Sequence, residues 1–104
     1  MEPAWRRPPF ESVTKVRSFY ESADDVRSKA PVHFAAHVAP WKEFQGHGTL
    51  LMIGTFANAQ EDGSMAIFTT REAAEAFARS DPFVLNGVVR GWSIREWNEA
   101  IAGP

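Results

Sequence analysis

Cysteine is absent from the sequence, which excludes disulfide bridges and thiolate chemistry. No apolar run approaches the ~20 residues that cross a bilayer. The first residues include Arg6 and Arg7 but lack the apolar stretch of a secretory signal. We therefore expect a cytoplasmic protein with no membrane partner. A formal net charge of -2 provides no excess of basic residues, so we expect no nucleic-acid partner either.

Sequence signatures of nucleotide chemistry are also missing. There is no glycine-rich phosphate loop, no dinucleotide fingerprint and no serine nucleophile motif. His33 and His37 stand four residues apart, a spacing that can serve a metal, but no carboxylate or cysteine lies nearby in the sequence as a third ligand. We therefore predict no metal site and no cofactor, so any chemistry would depend on acid and base side chains.

The residues that are present predict one domain over 10–104, preceded by an extended arm over 1–9 that contains three prolines. A helical stripe of apolar residues runs from Phe34 to Phe44. Pro40 is expected only near a first turn, so we predict that this helix begins near residues 33–37, after a connection over 22–31. Thr69 has the pattern of a helix cap. The other predicted elements are strands at 13–20, 50–56, 65–68 and 88–97, and a short helix at 82–85.

This order predicts an α+β fold, the ferredoxin-like βαββαβ sandwich, with both helices on one face of a four-stranded sheet. The strands at 50–56, 65–68 and 88–97 carry large apolar residues on both faces. An uncovered apolar face is unusual in a monomer, so we expect a homodimer formed through the sheet faces. The alternative is that the N-terminal arm covers this face alone.

Several segments together resemble the YCII-related domain family. They are His37-Val38 with Trp41, the apolar strand 51–54, the Asp81-Pro82-Phe83 segment and the closing strand that ends at Trp97. The resemblance implies a dimeric ferredoxin-like α/β barrel. It also implies that a histidine of the first helix, here His37, and the aspartate of the Asp-Pro-Phe segment, here Asp81, form a catalytic pair.

Two features depart from the family pattern. Thr55 stands where many members have proline, and the arm before Phe10 is an addition. The resemblance implies chemistry on a small molecule. A histidine paired with an aspartate suits proton abstraction beside a carbonyl, and hence isomerisation or elimination of the dehydrochlorinase type. A place for His37 in the first helical turn would also keep its ring neutral.

Simpler roles exist for the same residues. Asp81 before Pro82 has the pattern of a helix N-cap, and capping and catalysis can coexist. Three alternatives therefore stay open: an enzyme, a non-catalytic ligand-binding module, and a structural dimer. The candidates for a substrate pocket around the pair are His33, Trp41, Thr55, Phe83 and Arg95.

Overall fold

The computed structural model describes residues 14–100, so the predicted arm over 1–9 lies outside the described residues. Eight elements follow one another within this range. They are β1 (Thr14–Ser22), α1 (Val26–Gly46), β2 (Leu50–Thr55), α2 (Ala59–Asp62), β3 (Ser64–Phe68), α3 (Arg71–Ser80), α4 (Pro82–Leu85) and β4 (Val89–Asn98).

The four strands form one sheet in the order β2-β3-β1-β4, and neighbouring strands are antiparallel. The chain therefore places β3 between β1 and β2, as the ferredoxin-like plan requires. The predicted α+β fold is confirmed. No helix within residues 14–100 is long and apolar enough to cross a membrane.

The core lies between the sheet and the helices. Side chains alternate along β1, so Val16, Ser18 and Tyr20 share the face that the helices cover, and all three are buried. Phe77 of α3 is fully buried, and Phe44 of α1 meets its ring edge-on at 5.3 Å between centroids. The packing of α1 and α3 against the same face thus leaves a space between α1 and the sheet for the site described below.

Helix α1 begins earlier than predicted. It runs from Val26, so the predicted start near 33–37 and the predicted connection over 22–31 are both wrong. Pro31 and Pro40 lie inside the helix, where each lacks the N–H that would bond to the carbonyl four residues earlier, at a cost of about 3 kcal/mol. Packing of Trp41 and Phe44 against the core is the tertiary contribution that the local rule omits.

The α3–α4 region follows local rules more closely. Thr70, one residue after the predicted cap, accepts a hydrogen bond from the Ala73 N–H at 3.1 Å. Asp81 ends α3 and caps α4, with Pro82 at the first helical position, as predicted.

The opposite face of the sheet is not covered by the described helices. Arg17 lies over the ring of Trp97 at 3.7 Å and donates a hydrogen bond to the sulfur of Met65 at 3.3 Å. Met52 is 66% exposed on this face. The homodimer through this face stays a prediction.

Candidate functional site

The carboxylate of Asp81 is placed by the chain around it. Proline at 82 cannot continue α3, so the backbone turns at Asp81 and a new helix begins. Asp81 Oδ1 accepts a hydrogen bond from the Phe83 N–H at 2.9 Å, and the residue is only 2% exposed. The carboxylate is therefore held inside the molecule by its own helix cap.

The imidazole of His37 meets this carboxylate from α1. His37 Nδ1 and Asp81 Oδ1 lie 2.6 Å apart, so the two residues that the family resemblance pairs are joined by a hydrogen bond. One turn further along α1, the Trp41 indole N–H donates to His37 Nε2 at 3.2 Å. Since Nε2 accepts from Trp41, the neutral ring carries its proton on Nδ1 and donates it to Asp81. The basic lone pair of the neutral ring is therefore on Nε2, where it accepts the Trp41 N–H.

Aromatic rings enclose the imidazole. Phe83 stacks on it with 3.7 Å between ring centroids and an angle of 5° between planes. Trp41 meets it edge-on at 4.9 Å. These contacts fix the orientation of the ring, and the Asp81-Pro82-Phe83 segment thus supplies both a hydrogen-bond acceptor and a stacking surface for His37.

A cavity of about 290 Å³ opens beside the His37–Asp81 pair. Its size suits a molecule of one ring, and its mostly apolar wall with a few polar groups is typical of small-molecule sites. The lining residues are Tyr20, Phe34, His37, Trp41, Ile53, Gly54, Thr55, Ser64, Asp81, Phe83 and Val89.

The structure brings together most of the predicted site residues. Trp41, Thr55 and Phe83 line the cavity with the pair, whereas His33 and Arg95 do not. Arg95 lies opposite Arg17 in the pairing of β1 with β4, on the face of the sheet that points away from the helices. His33 lies one turn before His37 on α1.

One expectation about His37 is wrong. The residue lies near the middle of α1 and not in its first turn, because the helix begins at Val26. The helix dipole acts mainly within the first and last turns, so it does not keep this ring neutral. Hydrogen bonds from Trp41 and to Asp81 are the contacts that set its tautomer instead.

Sequence reasoning did not select Tyr20 as a site residue. Tyr20 lines the cavity from β1, and its hydroxyl is buried without a partner within hydrogen-bond distance among the described residues. Burial raises the pKa of the Tyr20 phenol above its usual range; the Asp81 charge acts in the same direction and the Ser18 hydroxyl opposes it. The alternation of β1, which puts Tyr20 on the buried face with Val16 and Ser18, is a signal that could have indicated it.

Metal ligands are not clustered in this region. Within residues 14–100, no group of three or more His, Cys, Asp or Glu side chains is arranged to hold a metal ion.

The fold and the site define a class: a ferredoxin-like α+β domain in which the first helix and an Asp-Pro turn bring an imidazole and a carboxylate to one cavity. The chain belongs to the YCII-related domain family, whose sequence profile matches residues 16–98. Comparison with curated proteins gave no match.

The solved structures that resemble the chain include these two. One is 5-chloro-2-hydroxyhydroquinone dehydrochlorinase from Burkholderia phenoliruptrix AC1100, in complex with 2,5-dihydroxybenzoquinone, with 16% identity and a TM-score of 0.62 over 80% of this chain and 92% of that one. The other is a conserved protein from Methanosarcina mazei Go1, with 10% identity and a TM-score of 0.43 over 88% and 98% of the two chains. At 16% identity, the likeness to the dehydrochlorinase shows the fold.

Proposed function

We propose that this protein is a small cofactor-independent enzyme that moves protons on a small organic molecule, with His37 as the general base and Asp81 as its orienting partner. The observation that carries the proposal is the buried bond of 2.6 Å between His37 Nδ1 and Asp81 Oδ1 on the wall of a cavity of about 290 Å³. The carboxylate holds the tautomer and stabilises the imidazolium that forms when Nε2 takes up a proton.

Substrate entry changes one contact of the base. The lone pair of Nε2 accepts a hydrogen bond from Trp41 in the free protein. A ligand hydroxyl that gives its proton to Nε2 replaces this bond, so the ligand competes with the indole N–H for Nε2. The indole N–H therefore occupies His37 Nε2 as long as no ligand is bound.

The proposed substrate is a hydroxylated single ring with a halide leaving group. A flat ring fits the aromatic walls formed by Phe34, Trp41 and Phe83. The dehydrochlorinase of similar fold, which was solved with a dihydroxybenzoquinone, supports this class of substrate.

The elimination needs no oxidant. His37 takes the proton of one ring hydroxyl and returns it to the adjacent carbon that bears chlorine, which gives the keto form. A second hydroxyl then gives its proton to His37, which releases it to solvent, and the C–O bond of that hydroxyl becomes a carbonyl. The ring double bond shifts and chloride leaves with the electrons of the C–Cl bond. The net change is loss of HCl and formation of a hydroxyquinone.

A second copy of the chain covers the open face of the sheet, where Met52 and Trp97 are 66% and 39% exposed, to give a homodimer. We also propose a cytoplasmic location, in agreement with the lack of cysteine.

The direct test is chloride release from 5-chloro-2-hydroxyhydroquinone by the wild type and by the His37→Gln variant. Loss of a general base lowers the rate about 10²–10⁴-fold, so we expect a loss of this size for His37→Gln. His33→Gln is the matched control, since this histidine lies one turn away on α1 and does not line the cavity. Equal rates for His37→Gln and His33→Gln would remove His37 as the base.

The second candidate function is a non-catalytic module that binds a small molecule. The observation that favours it is the hydrogen bond from Trp41, which occupies the basic lone pair of the neutral His37 ring. A binding module would take up 2,5-dihydroxybenzoquinone but release no chloride from the chlorinated compound. The enzyme proposal requires both.

A further inference from the structure

Two hydroxyl groups lie buried side by side in the face of β1 that the helices cover. Neither Ser18 Oγ nor Tyr20 Oη has a partner within hydrogen-bond distance among residues 14–100, although the Ser18 hydroxyl is close enough to Tyr20 to lower the pKa of its phenol. Buried polar groups in native proteins are nearly always paired, because an unpaired hydroxyl forfeits the hydrogen bonds it would make with water. A buried hydroxyl that stays unpaired is therefore a candidate for a functional role.

The surroundings of the two hydroxyls differ. Tyr20 lines the cavity that also contains His37 and Asp81, whereas Ser18 is fully buried and does not line it. Burial and the charge of Asp81 raise the pKa of the Tyr20 phenol, so it is protonated at neutral pH and has an O–H to donate. Tyr20 is also the only tyrosine of the chain.

We propose that the Tyr20 hydroxyl donates a hydrogen bond to a ring oxygen of the ligand, which makes Tyr20 a specificity-determining residue for rings that carry oxygen. This inference rests on the proposed function, since the ligand is the hydroxylated ring that contacts His37. Because Oη has no partner within hydrogen-bond distance among residues 14–100, Tyr20, which already lines the cavity, gains a bond when its ring shifts toward the ligand. The Tyr20 hydroxyl is thus available to form a hydrogen bond with the ligand.

The chain provides a matched pair of variants for the test. Tyr20→Phe and Ser18→Ala each remove one buried, unpaired hydroxyl from the same face of β1, and each leaves the rest of the packing nearly intact. Calorimetric titration with 2,5-dihydroxybenzoquinone is expected to show about tenfold weaker binding for Tyr20→Phe and unchanged binding for Ser18→Ala. Urea unfolding of the free proteins is expected to show both variants at least as stable as the wild type.

Several results would overturn the inference. Equal affinity of Tyr20→Phe and wild type, with binding lost in His37→Gln, would remove the role of Tyr20 and leave the proposed function intact. Unchanged affinity in both Tyr20→Phe and His37→Gln would end the proposed role of Tyr20 and also the proposed function, in which the ligand contacts His37. A clear loss of stability in free Tyr20→Phe would show that the hydroxyl already has a structural partner and is not held for the ligand.

A spectroscopic readout covers the case in which the wild type does not bind this quinone. With ¹³C at the ring carbon that bears the hydroxyl, the single tyrosine gives one signal. We expect this signal to shift with hydroquinone or catechol and to stay unchanged with toluene, which has no ring oxygen. No shift with any of the oxygenated probes would also overturn the inference.

Discussion

The two members of the His37–Asp81 pair are held in different ways. Asp81 is fixed by neighbours in sequence: Pro82 ends the preceding helix and the Phe83 N–H binds the carboxylate at 2.9 Å. His37 lies in the middle of α1, between two prolines, and its ring is held by contacts with Phe83, Trp41 and Asp81. The carboxylate is therefore the rigid half of the pair, and the imidazole is the half whose contacts a ligand can exchange.

The largest effect on stability is expected at the rigid half. Asp81→Ala leaves the His37 Nδ1–H and the Phe83 N–H without an acceptor, so the free energy of unfolding is expected to fall by about 2–4 kcal/mol in urea titrations. Asp81→Asn keeps an oxygen that can accept both bonds and is expected to lose less stability. Asp24→Ala is the control, because the Asp24 side chain is 98% exposed and its loss is expected to change stability by about 0.5 kcal/mol or less. If Asp81→Ala is as stable as Asp24→Ala, the carboxylate is not the anchor.

A proline inside α1 provides the second test. Pro40→Ala restores an N–H for the carbonyl of Ala36, so we expect the free energy of unfolding to rise by about 2 kcal/mol, after allowance for the greater freedom of the unfolded chain. The histidine half of the pair would then be more rigid. A fall in stability would show instead that the helix needs proline at this position.

Substitution of Trp41 is expected to change stability less, and it tests the hydrogen bond from the indole to His37. Trp41→Phe keeps a ring and removes the donor to His37 Nε2, so stability is expected to fall by about 1 kcal/mol. Because the ligand no longer competes with the indole N–H, affinity for 2,5-dihydroxybenzoquinone is expected to rise severalfold in calorimetric titrations. Weaker binding would contradict this competition and make the indole a ligand donor.

The smallest effect is a stability difference at high pH. The raised pKa of Tyr20 means that the folded protein holds the phenol proton more tightly than the unfolded chain, whose phenol titrates near ~10. The contribution of the Tyr20 proton to the free energy of unfolding is therefore fully present below a pH of ~10. It falls as the pH rises further, by about 0.8 kcal/mol at half a pH unit above that value. Tyr20→Phe is expected to lack this component. Parallel curves for both proteins in urea titrations between neutral pH and this range would contradict the burial of the phenol.

The same difference between the two halves explains what the sequence could predict. The position of Asp81 follows from local rules, since an aspartate before a helix-starting proline is a cap wherever it occurs. The start of α1 does not follow from local rules. The rule against proline inside a helix takes no account of the packing of Trp41 and Phe44 against the core.

Long-range features were beyond local rules for a different reason. His37 and Asp81 are 44 residues apart, so their contact depends on how α1 and α4 pack and not on spacing, and only the family resemblance indicated it. The face to which Arg95 points follows from its register with Arg17 across two strands. Tyr20 could have been selected from the alternation of β1, but nothing in its neighbourhood marks it as part of a cavity.

The protonation of His37 Nε2 is the most direct test of the central claim, that the imidazole is a base oriented by Asp81. The chain has three histidines, so ¹⁵N spectra of the side chains can be assigned with His33→Gln and His47→Gln. In the free protein we expect the proton on Nδ1 and an unprotonated Nε2. When 2,5-dihydroxybenzoquinone is added, we expect Nε2 to become protonated while the proton on Nδ1 stays. A proton on Nε2 in the free protein, or an Nε2 signal that the bound quinone leaves unchanged, would contradict the claim.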